Sequence, residues 1–487
     1  MLFNSWAFAA FLPIAFVLHW ALPHRCRWAF LLAASYFFYM SWNVKYVALI
    51  LVTTAASYAC ALWMDSGRRT RAQKRRGLAA CMCVCLGILA LFKYSGFVLQ
   101  NAAAAMRLLS VPAHEHTLGL LLPVGISFYT FQTLGYLIDV YRGELRAERH
   151  FGIYALYVSY FPQLVAGPIE RAGNLIPRLR AERRFSGPEA AYGLRLMAVG
   201  YFKKMVVAAS MAKYVDLVYG DAGAYTGFPL LLATGFFAFQ IYGDFSGYSD
   251  IARGASRLMG VDIMQNFDAP YLSRSFREFW SRWHVSLSTW FRDYVYIPLG
   301  GSRCGRWRYR RNVMATFLLS GLWHGAGWTF VAWGGLHGIY LAAEDALGRL
   351  LPAPPREARG AAALAAASGR VLLTFLLACF AWVFFRARGM GEAAYVVSHM
   401  FEGISSPAAY VSQGLAAMGM YEVLLLYLAI QLALLALYDI LSRRGDLLEK
   451  AGRLGLPAQC AVHVAGLLLI LLLSDKGMPA EFIYFQF

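Results

Sequence analysis

Apolar runs long enough to cross a bilayer recur along the whole chain and are separated by short polar or basic loops. A transmembrane helix needs about 20 consecutive apolar residues. The pattern therefore predicts an all-α polytopic membrane protein, a bundle of about ten to twelve transmembrane helices. The predicted spans are 6–23, 28–42, 44–64, 77–100, 117–140, 189–211, 229–253, a pair within 312–348, 370–386, 421–441 and 460–474.

Two stretches depart from this pattern. The apolar stretch 151–167 has basic loops on both sides, so we expect it to enter the membrane and return on the same side. Non-helical backbone at membrane depth persists only where it packs in protein or lines a cavity. The stretch 262–311 is rich in both aromatic and charged residues, which is typical of helices lying at the membrane interface or lining a funnel.

The domain organisation follows from the absence of any stretch able to form a water-soluble core of its own. We expect one membrane domain over residues 1–487. Its N-terminal helices occupy 1–140, its core with re-entrant segments 141–348, and its C-terminal helices 349–487.

The composition excludes an ordinary soluble enzyme. Of the 487 residues, 59% are hydrophobic and 15% are charged, against roughly 45–50% and 25% in soluble domains. The 45 Lys and Arg residues outnumber the 27 Asp and Glu. Because the basic residues lie in short loops, the cytoplasmic preference for Lys and Arg accounts for them without a nucleic-acid partner. Arg25 and Arg27 follow the first span, so we expect the N-terminus outside and the basic cluster 68–76 in the cytoplasm.

The first candidate for chemistry is His324, in the segment 320–328, where glycines flank a histidine within an apolar run. Polar groups at bilayer depth are costly and often functional. A neutral histidine can accept a proton and return it, as acyl transfer to a hydroxyl requires. The alternative is a structural histidine bonded to a neighbouring carbonyl.

The second candidate is His284, which follows Arg282 and precedes Ser286 in an aromatic and charged segment. It would serve as a second acid/base or as a gate to the cavity. Alternatively it belongs to an interfacial aromatic belt with a solvated charge stripe. Glu278 and Arg282 are four residues apart, so we expect them to pair on one helix face.

A third set of polar residues, Asp244, Ser246 and Asp250, lies inside the predicted span 229–253. These groups either orient a histidine and line a polar path, or tie helices together through hydrogen bonds, and the second role is favoured because such bonds are common between spans. His337 is more consistent with packing than with catalysis. No metal site is predicted, because Cys81, Cys83 and Cys85 are two residues apart and do not share a helix face.

Several ordered motifs resemble the membrane-bound O-acyltransferase family, and in particular its bacterial branch that O-acetylates exported polysaccharides such as alginate. The most specific are the segments 282–288, 296–301 and 321–325. The other matching segments are 122–132, 161–169, 242–247, 266–301 and 320–338, with the opening 3–5 and the closing 482–487.

The resemblance implies a bundle of tilted spans around a central tunnel that is narrow at the catalytic histidine. It assigns the essential histidine to His324 and gives His284 a second functional role. The residues expected to line the tunnel or orient these histidines are Asp244, Ser246, Asn266, Arg282, Ser286 and Trp323.

The resemblance also implies an activity and its partners. The enzyme would take an acetyl group from a cytoplasmic thioester, acetyl-CoA, with no permanently bound cofactor. It would pass the acetyl group across the bacterial inner membrane to a periplasmic SGNH-type partner and thence to an exported polysaccharide. Two alternatives stay open at this point: D-alanyl transfer from a carrier protein, and export of a polysaccharide or lipid-linked sugar by a transporter.

Overall fold

The protein is described by a computed structural model that covers residues 1–111, 119–165, 167–350 and 360–474. Within these residues every regular element is helical, which confirms the predicted all-α class. Six helices in the described residues are long and apolar enough to cross a membrane, judged by length and composition. They are Val44–Asp65, Arg71–Lys93, Phe228–Leu258, Ala361–Arg386, Glu422–Ser442 and Leu456–Leu473.

The helices differ from the predicted spans at several places. The run 77–100 is not one helix, because Arg71–Lys93 and Ser95–Leu108 are separate helices that meet at Tyr94. The stretch 351–367 is rich in Pro and Ala, a composition typical of a linker, but its residues 361–367 begin the helix Ala361–Arg386, as the high helix propensity of alanine favours. Residues 117–118 and 351–359 and the closing motif 482–487 lie outside the described residues.

The number of crossings stays a prediction. Ten to twelve were expected, whereas six described helices satisfy both length and hydropathy. Other predicted spans form helices that carry more polar groups, such as Arg306–His324 and Trp328–Leu350. Helices of this kind pack inside a bundle, where a hydropathy criterion does not recognise them.

The described chain forms two compact units. The first comprises residues 1–194 and 252–264. Two helices contribute residues to both units, Gly187–Tyr201 and Phe228–Leu258. The remaining helices of the first unit are Trp6–Ala21, His24–Met40, Val44–Tyr46, Val47–Asp65, Arg71–Lys93, Ser95–Leu108, Ile126–Arg142, Phe151–Ser159, Phe161–Leu164 and Ala172–Arg180.

The stretch predicted to re-enter the membrane forms two short helices in the first unit, Phe151–Ser159 and Phe161–Leu164. Nine residues rise about 14 Å, so the longer helix is too short to cross a hydrocarbon core of about 30 Å. This length is consistent with a segment that turns back. Glu170 follows these helices, and its Oε1 accepts a hydrogen bond from the Met264 N–H. Burial raises the pKa of Glu170 to about 7.

The second unit comprises residues 195–251 and 265–487, described as far as residue 474. It contains both histidines of interest. Its remaining helices are Phe202–Ala208, Ala209–Gly220, Ala222–Ala224, Pro270–Leu272, Phe276–Arg282, Val285–Phe291, Arg292–Tyr296, Arg306–His324, Trp328–Leu350, Ala361–Arg386, Met390–His399, Pro407–Ala417, Glu422–Ser442, Leu447–Gly452 and Leu456–Leu473.

A tight helical hairpin in the second unit, Arg306–His324 and Trp328–Leu350, carries His324 at its turn. The two helices approach each other through Gly321 and Gly334. A Cβ on Gly321 would lie 2.2 Å from the Phe330 carbonyl oxygen, and one on Gly334 would lie 2.2 Å from that of Phe317. Glycine is therefore required at both positions by close backbone approach.

Candidate active site

His324 is the last residue of the helix Arg306–His324, and Gly325 continues the chain in an extended conformation with φ −156°. Its side chain is buried, with 3% of the residue exposed. Aromatic rings surround the imidazole: the ring centroids of Trp323 and Trp333 each lie 4.9 Å from that of His324, and the Phe385 ring lies 5.4 Å away. The hairpin turn therefore presents His324 within an aromatic enclosure.

His284 lies at the junction of two short helices, Phe276–Arg282 and Val285–Phe291. Its backbone is left-handed, with φ 43° and ψ 53°, and the residue is fully buried. For a residue other than glycine this conformation costs about 1–2 kcal/mol. Such strained backbone clusters at functional sites, where the surrounding structure must maintain it.

Asn266 holds this junction in place. Its backbone carbonyl accepts from the Val285 N–H at 3.0 Å, and its Oδ1 accepts from the Ser286 N–H at 3.2 Å. Its Nδ2 donates to the Ser249 Oγ at 3.3 Å. The Ser286 Oγ lies 3.5 Å from Nδ1 of His284. Asn266 and Ser286, both predicted as orienting residues, thus lie at the backbone turn that places His284.

The two histidines, 40 residues apart in the sequence, meet in the second unit. Their ring centroids are 6.5 Å apart. The Trp323 ring lies 6.0 Å from the His284 ring and 4.9 Å from the His324 ring, so it contacts both. Phe245 packs edge-on against His284 at 4.6 Å. Two imidazoles at this separation can act on one small reacting group, as acid/base catalysis requires.

Arg282 supports the loop before His284. Its guanidinium pairs with Glu278 at 2.9 Å, which confirms the predicted pairing on one helix face, and with Asp268 at 3.3 Å. The Asp268 N–H in turn donates to the Arg282 carbonyl at 3.0 Å. Arg282 is thereby linked to the same loop that carries Asn266, and it contributes to positioning the turn.

Asp244 and Ser246 flank Phe245 on the helix Phe228–Leu258, and both are buried. The Asp244 carboxylate pairs with the Lys204 ammonium. This ion pair links the helices Phe202–Ala208 and Phe228–Leu258, which is consistent with the predicted role of Asp244 in tying helices together. Ser246 Oγ has no hydrogen-bond partner within the described residues.

Sequence reasoning missed a buried polar cluster beside this helix. Lys203 pairs with Asp250 at 2.8 Å, and Lys203 and Lys204 both lie on a π-helical segment, Phe202–Ala208. The Tyr242 hydroxyl donates to both oxygens of Asp439, at 3.0 and 2.9 Å. The signal was available, because two lysines fall inside the predicted span 189–211 and charged groups within spans mark functional or structural pairs.

His337 lies in a separate part of the aromatic cluster. It is fully buried, its ring lies 4.8 Å from Trp333, and it stacks on Phe279 with 5° between the ring planes. These surroundings are consistent with the predicted packing role.

A cavity in the second unit has a volume of about 700 Å³. Asp439 and Tyr242 line it, together with apolar residues of the helices Ala361–Arg386 and Glu422–Ser442, and neither His284 nor His324 does. The tunnel to the histidines therefore stays a prediction. Among the described residues no group of three or more His, Cys, Asp or Glu side chains is placed to hold a metal ion.

Comparison with known proteins gives a family for this chain. The model of the membrane-bound O-acyltransferase family matches residues 150–385. The protein named "Probable alginate O-acetylase AlgI" in Azotobacter vinelandii is 39% identical over 402 residues, which cover 82% of this chain and 78% of that protein. A peptidoglycan O-acetyltransferase of Helicobacter pylori is 34% identical, covering 82% and 80%. A teichoic acid D-alanyltransferase of Streptococcus thermophilus is 28% identical, covering 62% and 75%.

Proposed function

The chain belongs to the membrane-bound O-acyltransferase family and is an acyltransferase, and from this premise we propose that it transfers acetyl groups for O-acetylation of an exported polysaccharide. The acetyl donor is a cytoplasmic thioester, acetyl-CoA, and the polysaccharide is one such as alginate. The names of the relatives from Azotobacter vinelandii and Helicobacter pylori support acetyl transfer. The single observation that carries the chemistry is the buried pair His324 and His284, with ring centroids 6.5 Å apart.

His324 is the general base in this proposal. A ring nitrogen takes the proton from the acceptor hydroxyl as its oxygen attacks the thioester carbonyl. The tetrahedral intermediate collapses with cleavage of the carbon–sulfur bond, the ester forms, and the proton passes to the departing thiolate. Burial among Trp323, Trp333 and Phe385 supports this role, because exclusion of water protects a thioester from hydrolysis.

His284 is the second acid/base at the same centre. Its strained backbone, fixed by Asn266, supports a role that depends on exact ring placement. The Ser286 Oγ lies 3.5 Å from Nδ1 of His284, and the Trp323 ring packs beside both histidine rings, with centroids 6.0 and 4.9 Å away. Arg282 contributes indirectly, because its ion pairs with Glu278 and Asp268 support the loop that positions His284.

The proposed setting is the bacterial inner membrane, with the N-terminus in the periplasm. The donor arrives from the cytoplasm, and a periplasmic SGNH-type partner accepts the acetyl group and passes it to the polymer. The basic segments 178–184 and 303–311 each provide positive charge that suits the phosphates of the donor. Their composition also agrees with a cytoplasmic position.

The test compares two buried histidines in membranes supplied with radiolabelled acetyl-CoA and the polymer-producing cell envelope. We expect His324→Gln to abolish transfer of label to the acceptor while the protein remains inserted and folded. His337→Gln is the matched control, because both rings are buried and lie 4.9 and 4.8 Å from Trp333. Full activity of His324→Gln, or equal loss in both variants, would contradict the assignment.

The same assay separates the competing functions. Export of the polysaccharide with no label covalently attached to it would identify a transporter. Label transferred from a D-alanyl carrier protein but not from acetyl-CoA would identify D-alanyl transfer, the activity named for the Streptococcus thermophilus relative.

A further inference from the structure

Arg195, on the helix Gly187–Tyr201, carries a buried positive charge that the proposed reaction does not use. Only 7% of the residue is exposed. Its Nε and Nη1 have no hydrogen-bond partner within the described residues. Its Nη2 lies against Gly452, where an added Cβ would come within 2.6 Å. Burying an uncompensated guanidinium costs several kcal/mol, so an anion that binds these donors would stabilise the fold.

Arg195 is one of the residues that line a cavity of about 210 Å³ in the second unit. Apart from Arg195, its wall is largely apolar. Lys203 and His463 also line it, but Lys203 is paired with Asp250 at 2.8 Å and Nδ1 of His463 bonds the Gln459 carbonyl at 2.6 Å. The apolar lining includes Val199, Phe202, Leu435, Val462, Gly466 and Ile470.

One wall of this cavity belongs to a long apolar helix. Val462, Gly466 and Ile470 lie on the helix Leu456–Leu473, one of the six apolar helices long enough to cross a membrane. Ile470 is the one residue of that helix that is buried inside the protein. A hydrocarbon chain can therefore reach the cavity along this helix while its polar end meets Arg195.

The residues around the polar end favour an anion. The loop between the helices Glu422–Ser442 and Leu456–Leu473 has a net positive charge, because Arg443, Arg444 and Lys450 outnumber Asp446, and the charge of Arg453 is paired with that of Glu449. Basic pockets between transmembrane helices on the cytoplasmic side bind anionic phospholipid headgroups. We propose that this cavity binds an anionic phospholipid, with its phosphate on the Arg195 guanidinium and an acyl chain against Val462, Gly466 and Ile470.

The chain-binding part of the site has a position suited to a blocking substitution. A Cβ on Gly466 would meet no atom within 4 Å, so this position faces open space. Gly466→Leu therefore fills the apolar part of the cavity without displacing neighbours, and it leaves Arg195 in place. This variant tests the chain contact separately from the phosphate contact.

The experiment uses the full-length protein in a neutral detergent, with lipid binding followed by native mass spectrometry and by thermal stability. The probes are phosphatidylglycerol, the zwitterionic phosphatidylcholine, and inorganic phosphate. We expect phosphatidylglycerol to bind in preference to phosphatidylcholine and to raise the melting temperature. Arg195→Gln should weaken phosphatidylglycerol binding by about tenfold, because a charge-assisted hydrogen bond is lost.

Gly466→Leu should weaken phosphatidylglycerol binding as well while leaving any binding of inorganic phosphate intact. Arg453→Gln is the matched control, since that exposed arginine pairs with Glu449 and does not line the cavity. Equal binding of both lipids, or equal losses in Arg195→Gln and Arg453→Gln, would overturn the proposal. Stabilisation by inorganic phosphate alone, insensitive to Gly466→Leu, would show a free anion rather than a lipid as the ligand.

Discussion

At the scale of single residues, the candidate site depends on a backbone conformation that most side chains avoid. His284 is left-handed, with φ 43°. Two hydrogen bonds to Asn266, from the N–H groups of Val285 and Ser286, begin the helix that follows His284. Since these bonds help to maintain the strained turn, the position of the imidazole depends on a residue 18 positions earlier. The sequence patterns predict a role for both histidines and the family resemblance adds Asn266, but neither indicates a left-handed histidine.

Asn266→Ala is predicted to reduce acetyl transfer through loss of this turn. It removes the Oδ1 acceptor and leaves the buried Ser286 N–H unpaired, at a cost of about 1–3 kcal/mol. Displacement of a catalytic group by about 1 Å can lower the rate by about a hundredfold. We expect kcat to fall more than KM rises in membranes supplied with acetyl donor.

Ser249→Ala provides the control for this prediction, because it removes the outer partner of Asn266 and leaves the bond to Ser286. It should keep most of the activity. If the two variants lose activity in proportion to their loss of melting temperature, Asn266 is merely structural and the positioning role is wrong.

At the scale of elements, the hairpin of Arg306–His324 and Trp328–Leu350 places the catalytic candidate against Trp333. At Gly321 and Gly334 the backbones of its two helices lie so close that neither position has room for a side chain. From the sequence, the small residues near His324 indicate space either for a substrate or for a nearby backbone. In the structure Gly321 and Gly334 allow close contact between the two backbones. Each glycine meets a carbonyl of the other helix, so the contact depends on both helices.

Gly334→Ala is predicted to destabilise the protein, because its Cβ would lie 2.2 Å from the Phe317 carbonyl oxygen. Overpacking of this kind costs about 1–3 kcal/mol, and acetyl transfer should fall as the hairpin opens. Gly335→Ala is the adjacent control, with its nearest atom, Leu318 Cδ2, at 3.7 Å. In a helix that change favours folding by up to about 1 kcal/mol. Melting temperatures in detergent test the pair, and equal values would contradict the close approach.

The helices themselves were the most predictable part of the chain. Long apolar runs gave Glu422–Ser442 and Leu456–Leu473 to within a few residues, because hydropathy alone determines such spans. The break at Tyr94 and the π-helical segment Phe202–Ala208 were not predicted. Both depend on how a helix packs against its neighbours, and local sequence carries little of that information.

At the scale of the whole molecule, the sequence does not predict which polar side chains pair when they lie far apart along the chain. Tyr242 bonds Asp439 across 197 positions, and Lys203 pairs with Asp250 across 47. Each group is recognisable as polar within a span, but the choice of partner depends on the tertiary arrangement. The two histidines were brought together in the sequence reasoning by family resemblance, and the structure supplies their separation of 6.5 Å.

The orientation of the protein in the membrane gives a last prediction. With the N-terminus outside, Arg68 faces the cytoplasm and the helix Arg71–Lys93 carries the chain outward. The next helix, Ser95–Leu108, has 14 residues and a length of about 21 Å, so it is too short to return through a core of about 30 Å. Leu109, which is 76% exposed, should therefore remain outside.

In a chain whose eight native cysteines have been replaced, Leu109→Cys should react with a membrane-impermeant maleimide in intact spheroplasts. Arg68→Cys should react only after the inner membrane is disrupted, because the cytoplasmic preference for basic residues holds the cluster 68–76 inside. The reverse labelling pattern would place the N-terminus in the cytoplasm. It would also put the basic loops on the side opposite the thioester donor, and the proposed direction of acetyl transfer would then be wrong. Labelling of both cysteines in intact spheroplasts would instead show that Arg71–Lys93 does not cross.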